Sequence, residues 1–317
     1  MKTALLGVWH VHASSYVKSA LEHGQVIGVY DVDTEKRKKF CSEFNLKEFS
    51  SFEDLLSSDA EGVIVCSATN THTNDIIKIA NAKKNIFTEK ILALTEKECV
   101  QIEKAIHQSG VKFVISFFQK YCGPQQTIKK IVESKELGKI NFLRYRNCHS
   151  GSSANWLPKH FYNKPECGGG AMIDLGAHGM YLIDWLLGIP DTFTSIFTLA
   201  CENQETLIKN SDKVEDNAVT LMGYENGCIA INETGFVSFK SPLFLEVSGE
   251  NGYVRMEGEN VFKCTSSTNG KVVKVSLEKG LPSPIIQFLT DNIQPGCSIQ
   301  DAKRLTCMME KAYKNIV

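Results

Sequence analysis

The chain opens Met1-Lys2-Thr3-Ala4-Leu5-Leu6-Gly7-Val8-Trp9-His10-Val11-His12, and the fold turns on how this stretch is read. Residues 3–7 form a short apolar run closed by a glycine, which predicts a buried strand. A helical pattern follows to about His23, and a β-branched run over 26–30 predicts a second strand. The β-α-β rhythm then continues with strands expected over 62–66, 85–88 and 112–116 and helices over 73–82 and 95–109. Such alternation calls for a parallel sheet with helices on both faces.

Past Phe118 the pattern changes. A helix over 124–134 leads to a strand over 140–148 and then to a loop rich in Gly, Ser, Asn and Pro. From Phe193 onward come strand-like runs over 218–224, 228–235, 244–248, 253–257 and 271–275. Glu225-Asn226-Gly227, Glu250-Asn251-Gly252 and Thr268-Asn269-Gly270 are hairpin signals between them. Helical patterns over 283–291 and 298–315 close the chain. The expected class is α/β. A Rossmann-type parallel-sheet domain spans 1–118, and an α+β domain with a mostly antiparallel sheet spans 119–317, its last helix free to pack back on the first domain. A length of 317 residues exceeds what one core usually serves.

Composition narrows the function. Hydrophobic residues make up 43% and charged residues 22% of the chain, as in a soluble globular protein. Lys plus Arg number 35 against 36 Asp plus Glu, so no overall field would gather nucleic acid or an anionic membrane. No apolar run approaches the roughly 20 residues that span a bilayer, and the N-terminus lacks a signal-peptide pattern. The 11 cysteines include no C-x-x-C pair, which fits reduced thiols in a cytoplasmic protein without a metal site better than a disulfide scaffold or a zinc ribbon.

The turn after the first strand is where a dinucleotide fold holds pyrophosphate against backbone N–H groups and a helix N-terminus. Against G-x-G-x-x-G, this turn keeps Gly7 but has Trp9 and His12 in the second and third glycine positions, so the motif alone is weak. Asp31 stands at the end of the second strand, near the spacing of the acid that binds the adenosine ribose hydroxyls. Its carboxylate would repel a 2'-phosphate, which favours NAD over NADP. The run Lys36-Arg37-Lys38-Lys39 could offset that preference, although such a run more often forms a solvated helix face.

Three further segments complete the pattern. They are Val65-Cys66-Ser67-Ala68-Thr69-Asn70-Thr71-His72, Phe87-Thr88-Glu89-Lys90-Ile91, and Gly168-Gly169-Gly170-Ala171-Met172-Ile173-Asp174-Leu175-Gly176-Ala177-His178. In this order and spacing the whole chain resembles the Gfo/Idh/MocA family of glucose-fructose oxidoreductase and inositol dehydrogenase. The resemblance implies that the second sheet is large and open, and that the chain assembles as a homodimer or homotetramer through it. It implies catalytic positions at Lys90, Asp174 and His178, with Lys90 from the first half converging on the other two. Gly7, Trp9, His10, Val11, Asp31, Ser67, Ala68, Asn70, His72, Glu89 and Lys90 would line the NAD site. Lys90, Lys120, Trp156, Asp174 and His178 would meet a carbohydrate or cyclitol substrate. Ile91 stands where the family has a proline, and Tyr181 where many members carry an aspartate.

These residue types suit hydride transfer at a secondary alcohol, where the cofactor takes hydride and the protein handles the proton. Lysine does so once burial and a nearby positive charge lower its pKa. Histidine titrates near neutrality without help, so Lys90 and His178 both qualify. On a continuous helix Asp174 and His178, four residues apart, would share one face. Tyr145, Arg146, His149, Asn155, His160 and Tyr162 add polar and aromatic groups of the kind that line a polyol pocket. Two rivals share this fold: a redox-assisted glycosidase or C-glycoside oxidase, and a non-catalytic sensor of NAD or sugar. A sensor has no need of two proton carriers.

Overall fold

The computed structural model of the protein describes residues 1–201 and 213–317. The chain divides into two compact units, one made of Met1–Phe117 with Pro282–Thr306, the other of Phe118–Leu281 with Cys307–Val317.

The first unit runs β1 (Lys2–Leu6), α1 (Ala13–His23), β2 (Gln25–Tyr30), α2 (Thr34–Phe44), α3 (Phe52–Ser57), β3 (Gly62–Val65), α4 (His72–Asn81), β4 (Asn85–Thr88), α5 (Glu96–Ser109) and β5 (Phe113–Ile115). Its strands pair in parallel in the order β2-β1-β3-β4-β5. All four residues of β3 are buried, because helices cover both faces of such a sheet and leave no polar side to the strand. Strand order reverses between β1 and β3, the position at which open α/β sheets take ligands. Gly7 sits at that point with φ +84°, and a Cβ on it would lie 2.4 Å from the Ser67 nitrogen, so only glycine lets the β1 turn pass the end of β3. The basic run lies on α2, whose start is capped by the Asp33 carboxylate accepting from the Glu35 and Lys36 N–H groups.

The second unit contains α6 (Gly123–Glu133), β6 (Ile140–Cys148), α7 (Lys164–Cys167), a π-helical turn (Met172–Gly176), α8 (Ala177–Leu187), β7 (Thr192–Thr198), β8 (Asn217–Gly223), β9 (Ile229–Gly235), β10 (Phe244–Gly249), β11 (Gly252–Glu257), β12 (Asn260–Thr265) and β13 (Val273–Lys274). One eight-stranded sheet collects these strands in the order β13-β12-β11-β10-β6-β9-β8-β7. Its pairings are antiparallel except for β6 with β9. Burial alternates along β8, as it does in a sheet packed on one face only. Helix α8 lies over β6 and β9. It comes so close that a Cβ on Gly179 would be 2.1 Å from the Asn232 Oδ1 and 2.5 Å from the Tyr145 ring.

Two expectations change. The strand expected over 271–275 shrinks to the two residues of β13, and β12, which was not expected, pairs along all six of its residues with β11. Its sequence, Asn-Val-Phe-Lys-Cys-Thr, alternates poorly because only Val261 and Thr265 are buried, so the hairpin at Gly258 sets it rather than a hydrophobic period. The continuous helix expected to carry Asp174 and His178 is interrupted. Asp174 lies in the π turn and His178 in the first turn of α8, so an i,i+4 argument does not describe their relation. π turns of this kind gather at functional sites.

Candidate active site

In the first unit the turn after β1 is tied down by its own backbone. Gly7 N–H donates to the Tyr30 carbonyl at 2.7 Å and His10 N–H to the Cys66 carbonyl at 3.1 Å. The buried Asp31 carboxylate accepts Val8 N–H at 2.6 Å and Asp33 N–H at 2.7 Å. A carboxylate offers about four acceptor positions, so Asp31 keeps capacity for a diol. Arg37 is already engaged. Its Nη1 donates to the Asp31 carbonyl and its Nε to Glu48 at 2.9 Å, with the guanidinium over the Tyr30 ring.

Glu89 is the hub of this end. It is 1% exposed, and its Oε1 lies 2.7 Å from His12 Nδ1 and 3.6 Å from His10 Nδ1. The Tyr16 hydroxyl also donates to Oε1, and the same hydroxyl lies 2.7 Å from Ser116 Oγ. The other oxygen, Oε2, accepts the Lys90 N–H at 3.0 Å. Burial alone would raise the Glu89 pKa. The His10 and His12 rings and the Lys90 ammonium outweigh burial and hold the carboxyl well below its ordinary range. Burial and the neighbouring Glu89 charge push the Tyr16 phenol well up. Lys90 is nearly buried, and the peptide it makes with Ile91 is cis.

The remaining residues expected at the cofactor divide by exposure. Val11 and Asn70 are exposed, and Trp9, Ser67 and Ala68 are half-buried. Ser67 Oγ donates to Asp75 at 2.8 Å. His72 is buried, its Nδ1 3.2 Å from the Ile91 and Leu92 carbonyls and its Nε2 3.1 Å from the Ser67 carbonyl. It braces two loops from inside, and burial pushes its pKa down.

In the second unit the buried His178 ring lies edge-on to Phe118, 5.1 Å between centroids. Its Nδ1 is 2.8 Å from the Tyr181 hydroxyl, whose oxygen also accepts the Gln119 N–H. Tyr145 donates to the Gln119 side chain at 3.0 Å. The buried Lys120 ammonium lies over the Tyr181 ring. Asp174 is half-buried. Burial lowers the pKa of nearby His149, which the Asp174 charge opposes. His149 stacks on Phe236 at 5.0 Å and touches Trp156 at 4.6 Å, while the Trp156 indole is 54% exposed. Tyr162 bonds Ser152 internally, and Arg146 lies 3.8 Å from Glu233.

Sequence reasoning passed over two supports. Glu215 Oε1 accepts the Gly170 and Met172 N–H groups, each at 3.0 Å, and the Tyr313 hydroxyl at 2.5 Å. That carboxylate serves as the cap of the Gly-rich segment leading to Asp174. Gln119 fixes Tyr181 and thereby His178. Neither carries a local signal, since each partner lies 43 or more positions away.

Comparison with known proteins agrees with this geometry. Residues 1–117 match the model of the oxidoreductase family NAD-binding Rossmann fold, and residues 125–255 the GFO/IDH/MocA C-terminal domain. The chain is 22% identical to glucose-6-phosphate 3-dehydrogenase of Bacillus subtilis, over 81% of its own length and 77% of that protein. It is 25% identical to inositol 2-dehydrogenase of Salmonella typhimurium, over 58% of its own length and 52% of the relative. A solved structure of levoglucosan dehydrogenase with NADH and levoglucosan superposes with a TM-score of 0.83 at 17% identity, covering 99% of this chain and 98% of that one. A nucleotide domain of this type needs a tight first turn, a helix N-terminus beside it and an acid closing the second strand; Gly7, α1 and Asp31 meet each need. The protein therefore belongs to the Gfo/Idh/MocA oxidoreductase family, and its first unit is an NAD-binding Rossmann domain.

Proposed function

We propose that the protein is an NAD-dependent dehydrogenase or reductase acting on a secondary alcohol or ketone of a sugar, sugar derivative or cyclitol, with Lys90 and His178 handling the proton. The relatives named for glucose 6-phosphate, inositol and levoglucosan support a polyhydroxylated substrate. Bound NAD supplies the hydride acceptor, and NADH the donor.

The observation that carries the reading is the chain from Gln119 N–H to the Tyr181 hydroxyl to His178 Nδ1. The Tyr181 hydroxyl accepts the Gln119 N–H and directs its own proton to Nδ1 in this reading. The neutral ring then carries its hydrogen on Nε2. In that tautomer His178 donates to the substrate oxygen, and Lys90, once it has released its own proton to solvent, takes that of the alcohol during oxidation. Asp174 and Lys120 complete the polar contacts. The exposed Trp156 indole, backed by His149 and Phe236, offers an apolar platform for the C–H face of a sugar ring.

The first unit takes the cofactor in this reading. The second takes the substrate and, through the sheet face bearing the exposed Ile196, Leu221 and Ile229, a second copy of the chain. The cytoplasm suits a protein whose cysteines form no disulfide among the described residues. Among them also, no helix is long and apolar enough to cross a membrane.

The test is a panel of sugars, cyclitols and their keto forms with NAD and NADH, read by nicotinamide absorbance, beside Lys90→Ala and His178→Ala. Turnover of one class that both substitutions abolish is expected. Turnover undiminished in Lys90→Ala, or release of a leaving group without net NADH, would replace this reading.

A further inference from the structure

The inner face of β9 is polar where a sheet face covered by a helix is usually apolar. After the buried Ala230 come Asn232 and Thr234, both shut off from solvent. Buried polar side chains are costly unless each finds a partner, and these two find theirs on one short segment. Thr234 Oγ1 donates to the Ala171 carbonyl at 3.1 Å, and Asn232 Nδ2 to the Gly176 carbonyl at 2.8 Å. Those carbonyls bracket the π turn Met172–Gly176, which carries Asp174. Glu215 fixes the entry to this segment; the β9 pair fixes the turn itself. Asn232 and Thr234 share one strand face, about 6.6 Å apart along the strand, while the carbonyls they hold belong to residues five apart. In an α-helix such residues stand about 140° apart around the axis, and one strand face would meet only one of the two carbonyls. Wound from i to i+5, they come round to nearly the same side. The strand pair therefore matches the wide turn and not the tight one.

We propose that Asn232 and Thr234 are positioning residues of the active site, which hold this turn in its wide register and so fix the Asp174 carboxylate for the substrate. Neither side chain meets the substrate. Both act through the backbone on which Asp174 is mounted, and that backbone runs directly into α8 and His178. Loss of either bond loosens the turn, and the half-buried Asp174 loses its fixed place relative to His178. A misplacement of about 1 Å at a substrate-positioning group costs up to about a hundredfold in rate.

The role given to Asp174 rests on the proposed reaction, so the test has two arms, and the first does not depend on turnover. Hydrogen–deuterium exchange over residues 171–177 is expected to quicken about fivefold in Thr234→Val, the scale of one lost hydrogen bond. It should quicken further in Thr234→Val combined with Asn232→Ala, while exchange in β1 to β5 stays at the parent's rate. Thr234→Ser keeps the hydroxyl and is expected to exchange like the parent. The second arm is kinetic. With the sugar or cyclitol that the parent turns over, kcat/KM is expected to fall about tenfold in Asn232→Ala, with NADH affinity unchanged. Adding Asp174→Asn to Asn232→Ala should then cost far less than it costs the parent, because residues that act through one another are not additive. Unchanged exchange in the double variant, or a fully additive loss from Asp174→Asn, would overturn the proposal. A parent that turns over nothing in the panel would remove the reaction, and the exchange comparison would then decide by itself whether β9 holds the turn.

Discussion

The Tyr181 hydroxyl lies 2.8 Å from His178 Nδ1 and takes the Gln119 N–H on its other side, so the imidazole is held by a phenol. A phenol orients the ring without adding a charge.

Tyr181→Phe removes that hold and keeps the packing. We expect kcat to drop about tenfold to a hundredfold, the usual effect of losing an orienting partner. Stability should fall by only about 1–2 kcal/mol, because Gln119 N–H loses an acceptor. Steady-state kinetics beside urea denaturation separates the two effects. An unchanged kcat would remove Tyr181 from the mechanism.

Asp31→Asn leaves an acceptor for the turn but removes the charge. NAD binding should weaken about tenfold, in line with the loss of a hydrogen bond to a charged group. The preference for NAD over NADP should shrink as repulsion of the 2'-phosphate disappears. Isothermal titration with both dinucleotides measures it. Arg37 is tied to Glu48, so NADP should gain further in Asp31→Asn combined with Glu48→Gln.

Glu136 provides a pH test. Lys263, Ser267 and Thr265 donate to its carboxylate and hold its pKa at about 2, against an ordinary 4.5. A carboxyl lowered by folding stabilises the protein above its unfolded pKa, and that contribution is lost as pH falls from about 4.5 through about 2. Glu136→Gln should cost about 1 kcal/mol at neutral pH once solvent screening is allowed for. The difference should narrow as the buffer is acidified below pH 4.5. Urea titrations at several pH values follow it, and a constant difference would refute the assignment.

Leu221→Asp with Ile229→Asp places two charges on the exposed face of the second-unit sheet, where both side chains are more than 40% exposed. If that face joins copies of the chain, light scattering should show the mass fall to that of a monomer, with the circular dichroism spectrum retained. A parent that is already monomeric would end the idea of assembly through this sheet.

Glu215→Ala would strand the N–H groups of Gly170 and Met172. We expect a loss of about 2–3 kcal/mol, the scale of two unsatisfied buried donors, together with a higher KM. Glu215→Gln keeps an acceptor and should recover most of both. Burial raises the Glu215 carboxyl, with Tyr313 and the two amides opposing it. A raised carboxyl weakens folding as pH climbs from its unfolded value of 4.5 through its folded one, so the Gln variant should close on the parent in stability as pH rises above 4.5.

Local chemistry made much of this protein legible. The alternation of β-branched and amphipathic runs has a period set by the covalent geometry of each element, so the parallel sheet and the hairpins at Asn226-Gly227 and Asn251-Gly252 follow without knowledge of contacts. Gly7 was readable because a left-handed turn demands it. β12 escaped notice because pairing with a neighbour stabilises it, not its own pattern. The π turn at Asp174 escaped because a one-residue change of helical register leaves no trace in hydrophobic spacing.

The order of elements, the acid closing β2 and the Gly-rich segment leading to His178 were thus written in neighbouring residues. Partnership was not. That Glu89 holds His12 from 77 positions away, that Tyr313 meets Glu215 across 98, and that Tyr181 takes a proton donor from Gln119 across 62 depend on how strands register and which helix face turns inward. Those choices are made by burial of the whole core, so they become visible only once the chain is folded.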